Sequence, residues 1–140
     1  MLKTNQGVLN TAFRNLMKQG RFSSDSDGRC LYRGPEGTKC AIGSMIPDEL
    51  YKKALEGNVI SDAEMHSVRD LCFGPKVDDG FLRALQNAHD NRSLMSAALT
   101  WEEILPSLHA CFRDAAVRYG LKTDYIKNYY LTNRYNKENK

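Results

Sequence analysis

The sequence predicts a mainly α fold carrying one small antiparallel β-hairpin (α+β), in a single compact domain of five or six helices. Three observations support this. Apolar residues recur at helical spacing in several segments. Those segments are bounded by capping residues and by glycine or proline. Between the first and second of them lies the run from Cys30 to Gly43, in which a Gly34-Pro35-Glu36-Gly37 corner joins two short alternating stretches.

The first helix is expected to start after Thr4 and end at Gly20, with Leu9, Ala12, Phe13, Leu16 and Met17 as its apolar stripe. Residues 21–29 read as a polar loop. Their oxygens at 23, 25 and 27, with Gly28, resemble the start of a calcium loop. The position that requires a bidentate glutamate is Gly34, so the segment is assigned to turn chemistry. In the predicted hairpin (30–41), Pro35 and Glu36 are the central residues. Arg33 then faces Thr38, Tyr32 faces Lys39 and Leu31 faces Cys40.

A short helix is expected from Pro47, with Leu50, Tyr51, Ala54 and Leu55 inward and Gly57 as its stop. Ser61-Asp62-Ala63-Glu64 reads as a capping box for a helix whose stripe is Met65, Val68, Leu71 and Cys72. Asp78 and Asp79 favour the start of the next helix, whose stripe is Phe81, Leu82, Leu85, Ala88 and His89. Thr100 to Glu103 is a second capping box, opening a long helix through Ile104, Leu108, Cys111, Phe112 and Ala115 to Gly120. Pro106 should kink that helix or split off its first turn. Residues 122–140 form a basic, tyrosine-rich C-terminal extension beyond the 1–121 helical domain, with one more helix near 124–131.

The length of 140 residues suits one domain with a real core. No apolar run approaches the roughly 18 residues that span a bilayer, and the N-terminal residues lack a secretory h-region. A cytoplasmic protein without membrane attachment is expected. Its four scattered cysteines, at 30, 40, 72 and 111, then read as free thiols. Net charge is +3, distributed as +4 over residues 1–40, −4 over 41–121 and +3 over 122–140. Such asymmetry suits an anionic partner for one face, and at least equally well a soluble protein whose charge is simply uneven.

Several chemistries compete for the conspicuous residues. Cys40 beside Lys39, with His89 as base and Asp90 as orienter, is the arrangement of a nucleophilic hydrolase or transferase. A buried thiol and a core-edge histidine is the better-supported alternative. No cysteine or histidine pair has the short spacing of a structural zinc site, and no cofactor motif is present. Arg21, Arg29, Arg33 and Lys39 can grip phosphate while Tyr32 stacks on a base, or can equally be a solvated edge. The tail tyrosines suit nucleic-acid stacking, packing onto the domain, or contact with a second subunit in a homo-oligomer.

The run Leu31 to Gly43, followed by Ile46-Pro47-Asp48 and Tyr51, resembles a family of small bacteriophage-encoded proteins, most of them uncharacterised. Leu85 to Asp90, Trp101 and Tyr119-Gly120-Leu121 fit the same pattern in order, so the resemblance covers roughly residues 5–121. It implies a phage accessory protein in the host cytoplasm, acting by binding: blocking a host protein, or sequestering a defence signal such as a nucleotide. The expected ligand site is Tyr32, Arg33 and Lys39, with His89, Asp90 and Trp101 brought near by the fold. No residue is expected to be catalytic and no metal or cofactor is expected.

Overall fold

Helix α1 (Asn5–Gln19) starts where the Thr4 hydroxyl accepts from the Gly7 N–H and stops at Gly20, whose left-handed φ of 73° turns the chain away. The computed structural model describes residues 3–25, 29–89 and 100–129, and for His89 only its backbone. The inward face of α1 is Val8, Leu9, Ala12, Phe13 and Leu16. Phe13 meets the rings of His109, Phe112 and Tyr129 edge-on, at 4.9, 5.3 and 5.6 Å.

Helices α2 (His66–Phe73), α3 (Asp79–His89) and α4 (Trp101–Arg118) follow. Gly80 and Phe81 at the start of α3 lie against Tyr119 at the end of α4, so these two helices run antiparallel. The Thr100–Glu103 capping box forms as expected. A Schellman closure ends α4: Leu121 N–H donates to Ala116 O and Gly120 N–H to Val117 O, with Gly120 at φ 66°. Residues 124–129 are helical, and Ile126 is fully buried in the common core. Gln6 fastens this end by bonding both the N–H and the carbonyl of Lys122.

The expected β-hairpin is absent. Among the described residues there is no strand, only isolated antiparallel bridges at Arg33–Lys39 and Ser24–Cys30. Gly34 N–H donates to Thr38 O, so the loop holds three residues, Pro35–Gly37, rather than two. Glu36 and Gly37 are both left-handed, at φ 59° and 76°. This moves Lys39, not Thr38, opposite Arg33. Side chains then take the backbone groups that a ladder would have used. The Glu56 carboxylate accepts from the N–H of both Tyr32 and Arg33. The Gln19 amide bonds the N–H and the carbonyl of Lys39. Satisfied in this way, the segment gains nothing by forming more sheet.

Further local expectations are corrected by their surroundings. The helix from Pro47 reduces to a turn and a 3₁₀ turn (Lys53–Leu55), with Ala54 exposed. A segment this short is not stable as an isolated helix, and its Glu56 carboxylate is drawn to the Tyr51 hydroxyl and to the N–H groups of Tyr32 and Arg33. The Ser61–Glu64 box is not made. Asp62 accepts from Val59 N–H instead, and a 3₁₀ turn (Ala63–Met65) leads into α2. The buried face of α2 holds Val68, Arg69, Cys72 and Phe73, while Leu71 is exposed. Pro106 lies inside α4 without ending it. The bond it forfeits is to the carbonyl of exposed Glu102, where water can substitute.

Gly43 explains the Cys40-Ala41-Ile42-Gly43 string. A Cβ there would sit 2.2 Å from the Tyr32 carbonyl oxygen and 2.8 Å from its Cα. These are backbone atoms of the segment the core is built around, so they have little room to yield. Gly43→Ala is expected to cost about 1–3 kcal/mol as an overpacking change, measurable by urea denaturation. A stability equal to wild type would show that the two backbones separate freely. No described helix is long and apolar enough to cross a membrane.

Candidate functional site

Tyr32 sits at the centre of the 30–43 segment and points inward, 3% exposed. Its hydroxyl donates to Asn58 O at 2.5 Å and accepts from the Gln86 amide at 2.9 Å. Burial pushes this phenol well above the ordinary tyrosine range, outweighing the Gln86 bond that lowers it. Gln86 in turn accepts from Ile60 N–H. One network therefore ties α3, the 57–60 turn and the 30–32 segment together.

Arg33 leaves the same backbone in another direction. Its guanidinium pairs with Asp48 at 2.6 Å, donates to Ile46 O and lies 4.8 Å from the Tyr51 ring centre. Tyr51 donates to Glu56, and its hydroxyl is pushed up to about 12 by burial and then by that carboxylate bond. Arg33 is thus built into the frame that holds Glu56 in place. Arg21 is paired with Glu36 at 2.6 Å on the exposed surface, a pairing worth little in stability. Lys39 is half-buried and makes no ion pair among the described residues.

Trp101 opens α4 and packs edge-on against Phe22 at 5.4 Å. Its ring contact is thus with the segment leaving α1, whereas Tyr32 bonds toward α3. His89 ends α3, but its side chain and all of Asp90 lie outside the described residues. Of the expected site, Tyr32 and Arg33 share the Glu56 carboxylate through their backbones, and Lys39 faces Arg33 across the bridge. Cys40 is buried, and its sulfur accepts from Gly43 N–H. The calcium-like loop reaches into 26–28, outside the described residues. No group of three metal-ligating side chains occurs among the rest.

A cleft of about 180 Å³ opens beside Tyr32, lined by Arg29, Cys30, Gly57, Asn58, Val59 and Gln86. Its lining mixes polar and apolar groups, and three of the lining residues are tied together where the Tyr32 hydroxyl bonds the Asn58 carbonyl and the Gln86 amide. Arg29 is exposed at its rim, with no ion pair among the described residues. Gln86 and Asn58 were not singled out from the sequence as site residues. The available signal was a glutamine four residues after Leu82, on the buried face of α3.

No family model, curated protein or solved structure matches this chain. The site is therefore read from its own geometry. An anion in the cleft would have the exposed Arg29 side chain and Gln86 among its lining residues, and the Gln86 amide, with one N–H serving Tyr32, retains a second donor. The tail gives less. Tyr125 and Tyr129 are partly buried against the core, and Tyr130 and Tyr135 lie outside the described residues.

Proposed function

We propose that this chain is a non-enzymatic binding protein that holds a small anionic molecule in the cleft beside Tyr32. The observation that carries the reading is that exposed Arg29 lines the same cleft as the hydrogen-bonded Tyr32–Asn58–Gln86 group. A preorganised group spares a ligand the cost of ordering it, and a guanidinium can grip phosphate or carboxylate through two parallel bonds.

The volume limits the ligand. Pockets that enclose drug-sized molecules run to about 300–1,000 Å³, so this cleft takes one phosphate or carboxylate group and leaves the rest of a larger ligand outside. A nucleotide would be held by one end. The resemblance of the Tyr32–Gly43 run to small phage proteins suits a role in sequestering such a signal in an infected host.

The test is titration with inorganic phosphate and with a nucleoside monophosphate, followed by amide chemical shifts. Shifts at Arg29, Asn58 and Gln86 are expected with either probe. Arg29→Ala should weaken binding by about tenfold or more, the loss of one charge-assisted contact, without changing the fold because Arg29 is exposed. No shift at millimolar probe, or equal affinity in the Arg29→Ala variant, would remove this assignment.

A further inference from the structure

The outward groove between α3 and α4 is floored by small side chains at one-turn spacing: Ala84 and Ala88 on α3, Cys111 and Ala115 on α4. It encloses about 210 Å³. Asp114 and Arg118 stand exposed on its rim, one turn apart on α4. Neither makes an ion pair among the described residues, although opposite charges at this spacing commonly pair along a helix.

We propose that this groove is the contact surface of a symmetric homodimer, the α3–α4 pairs of two chains forming an antiparallel four-helix bundle. The charge pattern selects a second copy as the occupant. A two-fold axis between Asp114 and Arg118, with the two α4 helices antiparallel, sets Asp114 opposite the partner's Arg118 and Arg118 opposite the partner's Asp114. The surface is thus complementary to itself, as an isologous contact requires. The small residues serve the same arrangement. Helix axes approach to about 8 Å only where side chains at the crossing are small, and Ala84 and Ala88 on α3 with Cys111 and Ala115 on α4, each pair four residues apart, provide that. Such paired helices at a shallow crossing angle are the ordinary geometry of a four-helix bundle.

Charge reversal tests it, read by sedimentation equilibrium with circular dichroism as the folding control. Wild type is expected to show a concentration-dependent dimer. D114R and R118D should each place like charges opposite one another and weaken association by about tenfold or more. The doubly reversed D114R/R118D chain restores opposite pairs and should dimerise like wild type. A wild type that stays monomeric at several hundred micromolar would overturn the proposal. So would single reversals that leave association unchanged, or a double reversal that stays as weak as the singles while keeping wild-type helicity.

Discussion

Replacing Arg69 with methionine should lower the unfolding free energy by about 2–4 kcal/mol. Arg69 is 8% exposed, a guanidinium buried on the inner face of α2. It donates to the carbonyls of Gly74 and Val77 and pairs with Asp79, the first residue of α3. One side chain thereby fixes the whole α2–α3 connection. Methionine restores most of the volume and none of the donors. Two buried carbonyls then lose their partner, at about 1–3 kcal/mol each. The Asp79 carboxylate adds little, because it is more than half exposed and can rehydrate. Arg69→Lys separates geometry from charge. An ammonium cannot reproduce the forked donor set, so the lysine variant should recover less than half of the loss. Urea denaturation with unchanged m-value is the measurement. A lysine variant as stable as wild type would show that charge alone suffices.

The second large effect is on pH dependence. His109 is 5% exposed on α4, edge-on to Phe13 in the core. Burial, and then the nearby Arg113 charge, lowers its pKa from 6.5 to about 4. The folded chain therefore holds the neutral imidazole, while the unfolded chain takes up a proton near pH 6.5. Stability from this residue is complete above that value and is lost as pH falls toward 4. At 1.36 kcal/mol per unit the loss reaches about 3 kcal/mol. His109→Phe keeps an aromatic ring and removes the titration. The stability difference between wild type and variant should shift by about 3 kcal/mol in the variant's favour between pH 7 and pH 4. Carboxylates common to both chains cancel in that difference, and parallel curves would show that the imidazole is not held neutral.

Much of the helical frame was legible because its signals are local. Thr4, Gly20, the Thr100–Glu103 box and Gly120 act within a turn of themselves, and they placed α1 and α4 to within a residue or two. The 30–41 segment was misread because its backbone partners come from far along the chain. Gln19 and Glu56 carry no local mark of the peptide groups they will bond, and an alternating run around Gly-Pro reads as a hairpin until they are in place.

The candidate site divides the same way. Residue type singled out Tyr32, Arg33 and Lys39, but not the direction each would point. An arginine next to a turn reads as a ligand contact. Whether it meets solvent or Asp48 and Tyr51 depends on the 46–56 turn folding back over it. Leu71 failed for a simpler reason. It is apolar but sits six residues after Met65, off the face that Met65, Val68 and Cys72 share.

The glutamine that grips both poles of the Lys39 peptide has a wider consequence. An extended stretch with bare amides and carbonyls is a template on which a stranger's strand can grow, the first step toward tangled aggregates. Here the Gln19 side chain plugs that socket at Lys39, and Glu56 stoppers it at residues 32 and 33. The exposed corner at Pro35 can therefore be crowded by neighbouring molecules without recruiting them.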